Sequence, residues 1–409
     1  MNKFAKNLQL TFAALRYPNY RLWFAGQLVS MVGTWMQVTA QGFLVYQLTN
    51  SPAYLGYVAF ASGLPSWLFT LYGGVVADRI PRRKLLIITQ ISMLILAFIQ
   101  AGLVFSGLVE PWHILALAFL LGIANAFDAP ARQSFVFELV DRQDITNAIA
   151  LNSIMFNMAT VVGPAVAGFT YYLLGPAWCF TINGISFIAV IIALSLMKLQ
   201  PGITSTGKGN ALMQLQEGLN YTRKNTTIMG MLFLVGTVSL FTNGIMTLIP
   251  AWSVNILHGD ASTNGLLLSA RGFGSMIGGF IIAWTSRFHI RGKVLSIASL
   301  ILPVFVAIFS FIEWQPTALI ILAATGLCFM LVLNNANALM QTTLPDSMRG
   351  RGMSIFTLIF FGSVPIGSLL AGQLAEVVGE PVTVLVFAIC LAVCALFIWL
   401  RLPGLRAQN

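Results

Sequence analysis

Gly74-Val-Val-Ala-Asp78-Arg79-Ile-Pro-Arg82-Arg83-Lys84 is a short, strongly basic stretch set between two long apolar runs, 53–77 and 84–109. A soluble domain has no reason to bracket such a loop with runs of that length. A bilayer does, because a spanning helix needs about 20 mostly apolar residues. Outward from this loop the alternation continues to both ends of the chain. Further apolar runs lie at 21–49, 112–137, 146–174, 178–198, 228–257, 262–287, 293–313, 316–343, 352–378 and 381–401. The reading is an all-α membrane protein of twelve transmembrane helices. Pro65, Pro164, Pro250, Pro303 and Pro365 fall inside these runs and would break soluble helices. In a membrane bundle, neighbouring helices re-satisfy the freed backbone groups.

Composition agrees. Of the 409 residues 57% are hydrophobic and 8% are charged, against about 25% charged in soluble domains. The net charge of +10 invites a nucleic-acid reading, but the layout of the charges answers it. With the N-terminus in the cytoplasm, every Lys and Arg except Arg271 falls on the cytoplasmic side. The opposite side receives Glu110, Asp260, Glu313, Glu376 and Glu380 and no Lys or Arg. That is the positive-inside rule obeyed at every loop. One miscounted helix would invert all later loops, so the count and the orientation support each other. The expectation is a multi-pass protein of the inner or plasma membrane with both termini cytoplasmic and no nucleic-acid partner. The basic first residues lead directly into an uninterrupted span at Gln27, so no cleavable signal is read.

Chemistry-bearing residues are sparse. Cys179, Cys328, Cys390 and Cys394 lie in apolar runs without metal-ligand or disulfide spacing, and His113, His258 and His289 are scattered. No metal and no cofactor is expected. A phosphate-binding Gly-Lys-Ser/Thr loop is missing from the sequence, which argues against ATP-driven transport.

The longest loop, 199–227, divides the chain into six-helix bundles at 1–198 and 228–409. It is read as a cytoplasmic linker. Its second part, Ala211 to Lys224, is amphipathic, and is expected to lay Leu212, Leu215, Leu219 and Tyr221 on the membrane surface. The bundles repeat one another weakly. Asn125 to Gln133 closes the fourth span as Asn334 to Thr342 closes the tenth. Gly163 to Gly168 (GPAVAG) matches Gly367 to Gly372 (GSLLAG). Two pseudo-symmetric halves imply a site between them that opens alternately to each side.

The opening stretch resembles the major facilitator signature between helices two and three, G-x-x-x-D-R-x-G-R-R/K, with Pro81 where that family usually has Gly. Gly163-Pro164-x-x-x-Gly168 resembles part of the exporter-associated motif of the fifth span. Asn125 to Gln133 and Glu217-Gly-Leu-x-Tyr221 resemble the branch of macrolide, drug and siderophore exporters. The resemblance covers essentially the whole chain. It implies the major facilitator fold, a helix-packing role for Gly163, Pro164 and Gly168, and a conformational latch formed by Gly74, Asp78, Arg79, Arg82 and Arg83. Two features depart from the family. The first span offers Gln27, Gln37 and Gln41 instead of an acid, and the arginine of the family's usual second motif in the fourth span is absent, Leu120-Leu-Gly122 carrying no charge.

The residues permit competing roles. Asp78 can accept hydrogen bonds from the N-terminus of the eleventh helix, which begins near Gly350, with Gly74 allowing close approach; the alternative is a plain topology anchor. Asp128, one turn before Arg132, either couples transport to a proton or pairs locally with that arginine. Arg271 either faces the cavity or snorkels outward. Trp35, Gln37, Gln41, Asn152, Asn157, Asn243, Asn334, Asn337 and Gln341 are read as cavity lining, with Phe127, Phe156 and Phe241 as apolar walls. Each polar one alternatively makes an interhelical hydrogen bond. The set describes an amphipathic pocket with little charge. The expected function is a secondary active transporter exporting a small amphipathic molecule, a drug or siderophore, by proton-coupled alternating access. Lipid flipping or import is the alternative within the fold, and a membrane-bound enzyme the alternative outside it. Expected partners are the small-molecule substrate, membrane lipid and a proton or other coupling ion, with the protein a monomer.

Overall fold

The computed structural model describes residues 12–198, 211–285 and 290–406. Twelve long helices run through it: α1 (Pro18–Thr49), α2 (Pro52–Arg79), α3 (Arg82–Phe105), α4 (Pro111–Leu139), α5 (Ile145–Leu174), α6 (Pro176–Leu196), α7 (Thr226–Thr247), α8 (Ala261–Thr285), α9 (Arg291–Phe309), α10 (Gln315–Thr343), α11 (Asp346–Val378) and α12 (Glu380–Arg401). Eleven have the length and composition to cross a membrane, and α2 completes the set. Proline stands in the first turn of α1, α2, α4, α6, α10 and α12. There its missing N–H costs nothing and its fixed φ starts the helix. The fifth helix of each half ends on a glycine with positive φ, Gly175 at 90° and Gly379 at 82°. An L side chain would be strained at either.

The helices reach two faces. The acidic face carries Glu110, Asp260, Glu313, Glu376 and Glu380. The basic face carries the first turn of α3 (Arg82–Lys84), the linker helix, the start of α1 and the end of α12. Within the first six helices α1 packs on α5 and α6, α2 on α4, and α3 on α4 and α6. Within the second six α7 packs on α11 and α12, α8 on α10, and α9 on α10 and α12. Adding six to each helix number turns the first set into the second. The same operation exchanges the two large contacts between halves, α2 with α11 and α5 with α8. This is the pairing expected of a parallel two-fold repeat about an axis along the membrane normal.

Two expectations need correction. The seventh span, read as continuous from 228 to 257, is broken at Leu248, and a short helix Ile249–Asn255 follows. Pro250 causes the break, since it lacks the N–H that a continuing helix would need. The linker helix Ala211–Lys224 does not lay Leu219 and Tyr221 on the membrane surface: both pack against the apolar core of the second half. It is docked by an ion pair from Arg351 to Glu217 at 2.7 Å, with Gly218 against Ile355. The side chains of Leu212 and Leu215, and the Gly/Ser/Thr/Lys stretch before the helix, lie outside the described residues.

Candidate functional site

The crossings between halves are built from glycine. A Cβ on Gly163 would run into Cβ of Trp35 and the Val32 carbonyl, so this glycine seats α5 on α1. Gly168 lies against Ala261 and Gly265 of α8, and Gly265 in turn meets the Pro164 carbonyl. In α11 the same two positions do the same work. Gly367 meets the Leu240 carbonyl of α7, and Gly372 meets Gly56 and the Pro52 carbonyl of α2. The first glycine of each motif thus faces the first helix of its own half, and the second faces the second helix of the other half. Small residues permit this approach where lipid supplies no hydrophobic drive between helices.

Polar contacts reinforce the crossings on the acidic side. The Ser51 hydroxyl and the Ala53 N–H donate to Glu376 at 2.6 and 3.1 Å, so a carboxylate of α11 caps the N-terminus of α2. Gln373 donates to the Tyr57 hydroxyl at 2.7 Å, and Ser269 donates to the Val161 carbonyl at 2.6 Å. Glu380 is buried and accepts from Asn255 at 2.8 Å. Asp260 opens α8 and accepts from the amides of Ser262 and Thr263 and the Ser262 hydroxyl. Burial pushes its carboxyl up, but these hydrogen bonds outweigh burial and hold it below its ordinary value. Just beyond the α5–α8 crossing a cavity of about 370 Å³ lies at this face, walled by Phe43, Tyr46, Tyr171 and Asp260.

The basic face is braced differently. Arg82 pairs with Glu138, Arg83 donates to the Ser195 carbonyl, and Arg16 pairs with Asp144, all among the first six helices. Arg349 pairs with Asp346, and Arg351 with Glu217, on the other side. Arg79 is exposed. The close approach expected at Gly74 is not found: a Cβ there would meet nothing, whereas neighbouring Gly73 lies on the Ala126 carbonyl of α4. The side chain of Asp78 lies outside the described residues.

The residues read as cavity lining divide into two groups. Gln37 and Gln41 do not line a cavity; they are buried in an amide ladder. Asn183 of α6 donates to Gln37, Gln37 to Gln100 of α3 at 3.3 Å, and Gln100 to Gln41 at 3.3 Å. Buried amides here satisfy one another. The others stay partly exposed. Trp35 meets the ring of Phe156 edge-on at 5.9 Å, and Phe156 is 47% exposed. Asn152 accepts from Tyr20, and Asn157 donates to the Ser153 carbonyl. Asn243 donates to the Ser239 carbonyl at 3.0 Å and accepts from Arg271 at 3.1 Å. The Arg271 guanidinium stands 5.0 Å from the centre of the Phe329 ring, so it does not snorkel along its own helix but turns sideways between α7 and α10. Phe241 packs edge-on to Phe387. Asn334 is half-buried, and Asn337 accepts from exposed Gln341.

Asp128 is 2% exposed and points at α3. Thr89 and Gln90 donate to it at 2.8 and 3.1 Å, and Arg132 approaches at 3.6 Å. Phe127 packs with the core of the first half at this level. Sequence reasoning passed over Thr89, Gln90, Gln100, Asn183 and the Glu376 cap. Gln100 and Asn183 carry the same signal as Gln37, a polar residue inside an apolar run. Ser51 and Glu376 sit at span ends, where polar residues are ordinary.

Comparison with known proteins agrees with this architecture. Residues 9–409 match the transmembrane secretion effector family. The multidrug efflux pump Tap of Mycolicibacterium fortuitum is 26% identical over 393 residues, covering 93% of this chain and 94% of the relative. The staphyloferrin A transporter of Staphylococcus aureus is 23% identical over 371 residues, covering 88% and 90%. The solved structure of a bacterial homologue of the human lysosomal transporter Spinster superposes with a TM-score of 0.73 at 14% identity, covering 94% of this chain and 97% of that one. Twelve helices in two exchanging halves, the signature loop and the match over nearly the full length agree: the chain belongs to the transmembrane secretion effectors, a family of major facilitator transporters.

Proposed function

We propose that this protein is a secondary exporter of small amphipathic molecules, driven by an ion gradient and working by alternating access as a monomer in bilayer lipid. One observation carries the reading. The glycine crossings and their hydrogen bonds join the halves from the acidic face to mid-span, where Gly272 meets Thr160 and Gly362 meets Trp67, while the ion pairs found at the basic face among the described residues stay within a half or tie the linker helix to the second half. Two rigid halves hinged at one end can rock about a site between them. The positive-inside rule assigns the basic face to the cytoplasm, so this form is open inward. Multidrug efflux and staphyloferrin A transport in the names of the relatives support a drug or siderophore as cargo. In the outward-open form the loop of Gly74, Asp78, Arg79, Arg82 and Arg83 closes against the start of α11.

Uptake by everted membrane vesicles tests the reading. With an imposed proton gradient, a panel of amphipathic dyes should accumulate and be recovered chemically unchanged, and a protonophore should abolish accumulation. Accumulation only in right-side-out vesicles would make the protein an importer, and chemical conversion of the dye would make it an enzyme.

A further inference from the structure

Arg271 is the one basic residue that topology does not explain. Every other Lys and Arg can be assigned to a loop or helix end at the basic face, but Arg271 lies ten residues into α8. A guanidinium inside a span is costly unless a counter-charge compensates it. Among the described residues the ion pairs are Arg16–Asp144, Arg82–Glu138, Arg132–Asp128, Arg349–Asp346 and Arg351–Glu217, and none of them involves Arg271. Its partners are neutral: the Asn243 amide and the face of Phe329. Its Nε is buried and finds no acceptor among the described residues.

The surroundings hold this group in place. The Arg271 carbonyl lies against Gly326, locking α8 to α10 at that level. Asn243 spends its NH2 on Ser239 and therefore turns its oxygen to the guanidinium. A guanidinium has five donors in a planar fork, and a carboxylate is its natural bidentate acceptor. Arg271 stands where α7, α8 and α10 meet, near the middle of its span, which is where transporters of this build hold their cargo.

We infer that Arg271 binds an anionic group of the substrate, so that the preferred cargo is an amphipathic anion. This rests on the exporter reading for the word cargo, but not for the binding. The charge layout suits such a molecule at both ends of its path. The basic face attracts it. The acidic face, which carries acids and no Lys or Arg, offers it nowhere to rebind.

A matched pair of probes tests the inference without transport. The full chain in lipid nanodiscs is titrated with dansyl-phenylalanine, a carboxylate, and with dansyl-phenylalaninamide, its uncharged counterpart. Energy transfer from tryptophan reads both. The wild-type protein should bind the carboxylate about tenfold more tightly or better, the usual return of a charge-assisted hydrogen bond. R271Q should bring the ratio to about one with the amide affinity kept, and R271K should keep part of the preference. Equal affinities in the wild type, or no binding of the carboxylate, overturn the inference, and that result needs no variant. A ratio unchanged in R271Q also overturns it, because a purely structural arginine would weaken both probes together. Failure of vesicle export with the ratio intact would remove the exporter reading and leave the anion site standing.

Discussion

Burying the Asp128 carboxylate between α3 and α4 costs several kcal/mol unless its oxygens are satisfied, and Thr89, Gln90 and Arg132 satisfy them. That arrangement is a tie between helices, with the carboxylate turned toward α3. Asp128→Asn should therefore lower stability by about 1–3 kcal/mol, read as a drop in melting temperature. Every mode of transport should fall together, and the pH dependence of gradient-driven transport should survive. Selective loss of gradient-driven transport with downhill exchange intact would make Asp128 the coupling site instead. Asp260 gives a second residue-scale test, outside the spans. Its folded carboxyl is held below the unfolded value of about 3.9, so its stabilisation is present above that value and lost as pH falls through the folded one. Asp260→Ala removes the cap of α8 and should cost about 1 kcal/mol at pH 7. The difference between mutant and wild type in thermal unfolding should vanish well below pH 4. A gap that persists in acid would mean the loss is packing. Which polar residue lines the cavity was not legible at this scale. Gln37 and Asn152 look alike as polar residues in apolar runs, and only the partner helix decides that the first is buried in an amide ladder.

Whole elements were far more legible. Apolar runs of membrane length separated by charged loops leave little freedom, and the twelve long helices follow the twelve runs closely. The exception is instructive. Pro250 lies in a run as apolar as the others, and prolines such as Pro65 and Pro365 sit inside unbroken helices, so its presence alone did not mark the break at Leu248. The glycine motifs carried their meaning in their spacing, because the two glycines of GPAVAG and GSLLAG face two different neighbours. This gives an element-scale prediction. Gly168→Leu and Gly372→Leu put bulk where backbone meets backbone, and either should keep the acidic face from closing. Cysteines at the acidic-face ends of α2 and α11 should then react faster with an impermeant thiol reagent in both mutants, by about tenfold if the crossing loses about 1.4 kcal/mol. Gly74→Ala, which faces open space, is the control and should leave the rate unchanged in this state. Unchanged reactivity in both leucine mutants would separate the crossings from closure.

The molecule as a whole must have a sidedness and two states, and both are open to measurement. Cysteines at Asn50, Gly107 and Pro316 should be labelled from outside intact cells and one at Ser205 should not; labelling at Ser205 would invert the orientation. In the mechanism proposed above the two states are held by two sets of contacts at opposite ends, which requires their mutants to act in opposite directions. At the acidic face Glu376 caps α2 from across the interface, a carboxylate at a helix N-terminus where the backbone dipole favours negative charge. Glu376→Gln keeps the shape and removes the charge, weakening the closed acidic face by about 1 kcal/mol. The population should move several-fold toward the outward-open form. Asp78→Asn weakens the closure proposed for the basic face by a similar amount, and the population should move the other way. Spin labels at the two ends of the α2–α11 pair would show this directly. In Glu376→Gln the acidic-face distance should lengthen and the basic-face distance shorten, with the reverse in Asp78→Asn. Both mutants should slow transport, because a cycle that must visit both forms is slowed by excess stability of either. Glu376 is exposed at the acidic face while that face is closed, so it does not face the two sides in turn, and its loss should slow transport without uncoupling it from the ion gradient. Two mutants that shift the distances in the same direction, or Glu376→Gln transport that runs at full rate without a gradient, would sink the two-gate account.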